Sequence, residues 1–295
     1  MEVNRDRIPL SFEAFLMVAA FIFSYAVVDV FYDNVAMPQY EVFLAEKEAE
    51  KQERESQQPD GGAQAAKADE DSKTSVWEVL NGFEQKITIT LFLASLILLL
   101  YKFVLVIRDR GLLKIDFLDL PPGRFIDRGD ALDYVHEIDS ELPADLPKPF
   151  SKTVTPFRQS LVPRALRRAL HRFNEDDSVG KEEISHTITA ECEGELMKLE
   201  SQLVTINYIA WAIPSVGFIG TVRGIGMALA EADSALYDNN ISPVTSALGL
   251  AFNSTLEALF VSMFLMLLIY ALKRMQEAFV LDAESFAQGR LLTRI

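Results

Sequence analysis

Four windows of this chain, each about 20 residues or longer, are almost free of charge, and this decides what the chain can fold into. Residues 8–32 carry only Glu13 and Asp29, residues 87–107 only Lys102, residues 205–230 only Arg223, and residues 244–272 only Glu257. Each window is long enough to cross a hydrocarbon core of ~30 Å as a helix, which satisfies its backbone groups internally. The stretches between them are dense in Glu, Asp, Lys and Arg. That segregation predicts an all-α polytopic membrane protein with four transmembrane helices. A cleaved signal peptide does not fit the first window, whose apolar run is too long and lacks a small-x-small site after it.

Lys and Arg near the span ends set the orientation. Arg5 and Arg7 precede the first span, Arg108, Arg110 and Lys114 follow the second, and Lys273 and Arg274 follow the fourth, whereas residues 231–243 contain no base. The N-terminus, residues 108–204 and the C-terminal helix at 273–295 are therefore expected in the cytoplasm of a cell with a bacterial-type inner membrane. Residues 33–86 and the turn 231–243 are expected outside. Of the net charge of −15, residues 33–85 hold −8 and the turn −3, so most of the acidity lies on the outer side, where it can concentrate cations. An acidic chain of this kind excludes a basic nucleic-acid binder. Cys192 is the single cysteine, and the three histidines (His136, His171 and His186) are scattered, so neither an intrachain disulfide nor a metal site is expected. No cofactor is expected either.

The outer segment begins with a helix-forming run, QYEVFLAEKEAEKQERES, and passes into QQPDGGAQAAKADEDSK, which reads as a flexible linker because it has few large apolar residues to offset ordering entropy. Inside, a short helix (ALDYVHEIDSEL) is followed by prolines at 143, 147, 149, 156 and 163 and then by a basic helix at 164–173. Its Arg167, Arg168 and Arg172 suit anionic lipid, an acidic partner or a plain positive-inside surface. From Lys181 onward Ile184, Ile188, Cys192, Leu196, Leu199, Leu203 and Ile206 recur at helical spacing and form one apolar stripe. No proline or glycine pair separates it from the third span, so a single long amphipathic helix entering the membrane is predicted. Neighbouring copies in a homo-oligomer are expected to cover its stripe. Residues 108–204 contain no phosphate loop, nucleophile motif or metal-ligand spacing, and the chain is not expected to be an enzyme.

The last two spans carry the unusual chemistry. Pro214, Gly217, Gly220, Gly224 and Gly226 cluster in the third, and small residues at such spacing let helix backbones approach closely in lipid. Gly217, Thr221, Gly224 and Ala228 share one face at 100° per residue. Arg223 lies nearly opposite, free to snorkel or to pair with Glu231, Asp233 or Asp29. In the fourth span Ser246, Asn253 and Glu257 fall on one face, either as a polar pathway or, for Asn253 and Glu257, as interhelical hydrogen bonds.

Residues 213–226 (IPSVGFIGTVRGIG), followed after the acidic turn by Ser246-Ala-Leu-Gly249-Leu250, resemble the MotA/TolQ/ExbB proton-channel family. Its members show a proline, a Leu-Gly-Thr-Val-Trp-Gly-Ile stretch and then Ala-Leu-x-Thr-Ala-x-Gly-Leu. The resemblance covers about residues 195–270. It implies a homopentamer around a dimer of a single-span MotB/TolR/ExbD-like partner with an intramembrane Asp, converting proton motive force into mechanical work. By position, Thr221 and Ser246 match the family's pore-facing threonines, and Gly249 joins the packing glycines. Arg223 stands where the family has Trp, Ile241 where a Glu is common, and Thr255 where it has Pro. The first hairpin is additional to the three-span TolQ/ExbB plan, while four spans suit the MotA plan. These departures motivate the alternative, a non-conducting membrane scaffold of the same architecture that binds proteins through its outer segment.

Overall fold

The computed structural model describes residues 10–57, 82–115, 117–118, 124–140, 160–176, 178–237 and 240–295. The expected linker after the outer helix, the prolines at 143, 147, 149 and 156, and parts of the connecting turns lie outside the described residues. Among the described residues every regular element is helical: α1 (Leu10–Phe31), a π segment (Tyr32–Ala36), α2 (Met37–Gln57), α3 (Phe83–Gly111), α4 (Ala131–Ser140), α5 (Leu161–Glu175), α6 (Lys181–Tyr237) and α7 (Ser242–Leu291), with two short 3₁₀ turns. Among the described residues four helices are long and apolar enough to cross a membrane; they contain the last three windows and overlap most of the first. The third, α6, runs unbroken for 57 residues. The outer turn is tighter than the charge pattern implied. Helix continues through Glu231–Tyr237, whose residues include good helix formers, and the Asn240 side chain then accepts from the Ser242 N–H at 3.1 Å to start α7.

The chain divides into two compact units. One comprises residues 16–97 and 206–267. There Val28, Tyr32 and Ala36 pack on Ile89 and Leu93, joining α1 to α3, and Phe92 meets Phe264 of α7 with ring centroids 6.2 Å apart. Outward-facing Phe21, Ile22, Trp211, Phe218, Phe260 and Leu267 are exposed, as lipid-facing or subunit-facing positions of a membrane bundle must be.

The second unit comprises residues 98–205 and 268–295, with residues 10–15 of α1. Its core explains the amphipathic stripe. Ile184, Ile188, Cys192 and Leu203 are buried, Leu196 and Leu199 are half-buried, and Leu161, Val162, Leu166 and Leu170 of α5 and Phe279, Ala283 and Ala287 of α7 are buried with them. The stripe is thus covered by helices of its own chain, contrary to the expectation that neighbouring copies would cover it. Polar contacts flank the packing: Arg164 bonds Glu191 and Glu195, Arg168 bonds Glu191, Arg172 bonds Glu183, and Thr189 donates to Glu284 at 2.6 Å. The basic helix therefore serves an intrachain acidic face. Arg128 closes α5 by donating to the carbonyls of Phe173 and Val179 at 2.7 Å while its guanidinium lies 4.4 Å from the Phe173 ring, satisfying carbonyls that a helix end leaves open.

Candidate functional site

The α6–α7 hairpin is built on missing side chains. A Cβ on Gly217 would stand 2.5 Å from the Ala258 Cβ, and one on Gly224 would stand 2.6 Å from the Ala251 Cβ and 2.9 Å from the Ala247 carbonyl. Only glycine allows that approach. Gly220 is equally tight, against Ser254. By contrast a Cβ on Gly226 or Gly249 would meet nothing within 4 Å, so Gly249, expected to aid packing, faces open space among the described residues.

Close approach brings hydroxyls to backbone. Thr221 sits beside the Thr255 hydroxyl and 3.2 Å from the Ala251 carbonyl, while Thr255 donates to the Gly217 carbonyl at 3.0 Å. The two threonines form a short relay across the hairpin, which opens into a groove of about 420 Å³ lined by Phe218, Thr221, Phe252, Asn253, Thr255, Leu256 and Leu259. Thr221 and Asn253, reached separately from sequence, thus share one wall. Ser246 is exposed on α7, outside this lining. Thr255 was legible only as a departure from a family proline. Its role as partner of Thr221 depends on how the helices meet.

Pro214 also has a specific complement. It lacks an N–H, so the Ala210 carbonyl one turn earlier loses its helical donor. Ser262 of α7, itself buried, donates to that carbonyl at 3.1 Å. The break in the α6 hydrogen-bond ladder is closed from the neighbouring helix, and α6 remains continuous.

Glu257 turns away from the groove. Four residues beyond Asn253 rotate a helix by about 40°, and this carries Glu257 to the α3 side, where it is buried and 2.7 Å from the Thr88 hydroxyl. The structure therefore does not unite Ser246, Asn253 and Glu257 in one wall. Arg223 is half-exposed and pairs with Glu84 at the start of α3, 2.7 Å away, rather than with Glu231, Asp233 or Asp29. Asp29 is instead paired with Lys86. Glu84 lies just before the second apolar window, so a search confined to the spans and the outer turn misses it. Among the described residues no cluster of His, Cys, Asp and Glu able to hold a metal ion occurs.

Fold and site together define a class: a multispan, all-helical membrane protein whose last two spans form a small-residue hairpin with buried hydroxyls. Residues 158–285, which contain α5, α6 and most of α7, match the family model described as MotA/TolQ/ExbB proton channel family. Comparison with curated proteins and with solved structures gave no significant match.

Proposed function

We propose that the chain is a proton-channel subunit of an inner membrane that converts proton motive force into mechanical work together with a single-span, MotB/TolR/ExbD-like partner carrying an intramembrane Asp. The match over residues 158–285 carries this reading, and the Thr221–Thr255 relay on an open groove supports it. A partner carboxylate brought against this dry face is disfavoured when charged, so its protonation biases the partner's position. Each charge moving across the membrane supplies about 2.3 kcal/mol per 100 mV, enough to drive a step. Thr221 and Ser246 hold water or donate to the carboxyl without carrying charge themselves. Five copies surround two partner spans, with both termini in the cytoplasm and the acidic outer segment at the pore mouth.

The test is capture of the assembly from native membranes by a tag on this chain. The reading requires a co-purifying protein with one span containing Asp, and vesicle proton flux that falls in Thr221→Ala and in Ser246→Ala while assembly persists. No such partner, together with no flux, assigns the chain to the scaffold alternative, which the Arg223 and Ile241 departures motivate.

A further inference from the structure

The groove leaves out a second polar centre, deeper in the bundle. Glu257 is buried in α7, with one carboxyl oxygen bonded to the Thr88 hydroxyl and the other, Oε1, without a hydrogen-bond partner. Around it are further polar groups that an apolar bundle has no packing reason to contain. Thr88 of α3 is fully buried beside it, and so is Gln85, whose backbone carbonyl faces the Thr88 hydroxyl while its side-chain amide lies against Gly82. The buried phenol of Tyr32, whose hydroxyl is likewise unpartnered, lies close enough to Glu257 to interact electrostatically. Tyr32 opens the π segment, where the extra residue per turn changes the register of the helix; such segments are frequent at functional sites.

Thr88 supplies the decisive chemistry. Its hydroxyl lies 2.9 Å from the Gln85 carbonyl and 2.7 Å from Glu257 Oε2, yet it has one hydrogen to give. When Glu257 is charged, Thr88 donates to the carboxylate. When Glu257 is protonated, its own O–H donates to Thr88, and the Thr88 hydrogen turns to the Gln85 carbonyl. Both forms are hydrogen-bonded, and the change between them needs only rotation of one hydroxyl. A carboxyl held only for packing needs no such second arrangement. The neighbouring charges are already matched: within one turn of Thr88, α3 carries Glu84 and Lys86, paired with Arg223 of α6 and Asp29 of α1 respectively. Tyr32 is the titratable group that approaches Glu257 from the α1 side.

We propose that Glu257, with Thr88, the backbone carbonyl of Gln85 and Tyr32, is a proton-binding site internal to each subunit, separate from the Thr221 groove and facing α1 and α3. The chain then carries a proton of its own in addition to any carried by a partner, and the protonation state of Glu257 is communicated to the first two spans. This goes beyond the channel reading and does not depend on the flux of the groove.

The experiment uses the full-length protein in lipid vesicles. Infrared difference spectra across a pH series report the C=O stretch of a protonated carboxyl, with Glu257→Gln as the assignment control. In parallel, dicyclohexylcarbodiimide, which adds to protonated carboxyls in apolar surroundings, is followed as a mass adduct on the Glu257 peptide. The proposal expects a carboxyl band absent from Glu257→Gln that titrates, and an adduct that falls about tenfold per pH unit above the midpoint. Thr88→Val is expected to move that midpoint, because it removes the hydroxyl that serves both forms, whereas Thr221→Ala leaves it in place. A Glu257 band that never titrates, or no such band at any pH, overturns the proposal. So does protection of the adduct by sodium at constant pH, which makes the site a metal-cation site. Loss of proton flux in Thr221→Ala with an unchanged Glu257 titration separates the two readings cleanly.

Discussion

Ser262→Ala removes one hydroxyl, and its cost depends on a residue in another span. In the native chain the Ala210 carbonyl is buried, has lost its helical donor to Pro214, and accepts from Ser262 at 3.1 Å. Leaving a buried acceptor unsatisfied costs about 1–3 kcal/mol, while interhelical hydrogen bonds in membranes average nearer ~0.6 kcal/mol. A loss of about 1 kcal/mol, or roughly a fivefold shift in the unfolding equilibrium, is therefore expected. In a Pro214→Ala background the new N–H at 214 reaches the Ala210 carbonyl, so the same Ser262→Ala change costs only a few tenths of a kcal/mol. The assay is a double-mutant cycle by reversible denaturation in mixed micelles, with helicity as the probe. Equal costs of Ser262→Ala in the two backgrounds refute the reasoning, since they show that Ser262 acts independently of the missing N–H.

Other consequences follow from the same geometry. Gly217→Val and Gly224→Val each place atoms inside van der Waals distance of α7 and should destabilise the fold by about 2 kcal/mol or more, whereas Gly226→Ala, facing open space, should be near neutral in the same denaturation assay. Arg223→Ala leaves the Glu84 carboxylate, 6% exposed, without its partner, so it should destabilise more than the double variant Arg223→Ala/Glu84→Gln does. The Cys192 thiol is pushed up to about 12 by burial, with Glu284 adding to the shift, and should resist maleimide labelling through mildly alkaline pH until the protein is unfolded. Fast labelling of the native protein contradicts the packing of α6 against α5 and α7.

What the sequence made legible and what it did not divide along a physical line. The spans, the continuity of α6 and the shared face of Gly217, Thr221 and Gly224 follow from local period and lipid solubility, which act within one helix. Pairings between helices do not. Glu84 meets Arg223 because α3 and α6 converge at that end, and Ser262 meets Ala210 through the facing of two spans; nothing in either segment names the other. The stripe from Ile184 to Ile206 needs cover, yet its period is the same whether a copy or the chain's own α5 and α7 supplies it. A helical wheel puts Glu257 and Asn253 together because it treats about 40° as a small difference. In a bundle of four helices that angle separates an open groove from a buried neighbour.

Proton movement itself is the most direct test of the central claim. The assembly purified through this chain is reconstituted into vesicles holding a pH-sensitive dye, and a membrane potential is imposed with potassium and valinomycin. The account predicts potential-driven proton uptake above that of empty vesicles, and its reduction by about tenfold or more in Thr221→Ala at equal protein incorporation, equivalent to ~1.4 kcal/mol on the barrier. Uptake no greater than that of empty vesicles, or uptake unchanged by Thr221→Ala, contradicts it.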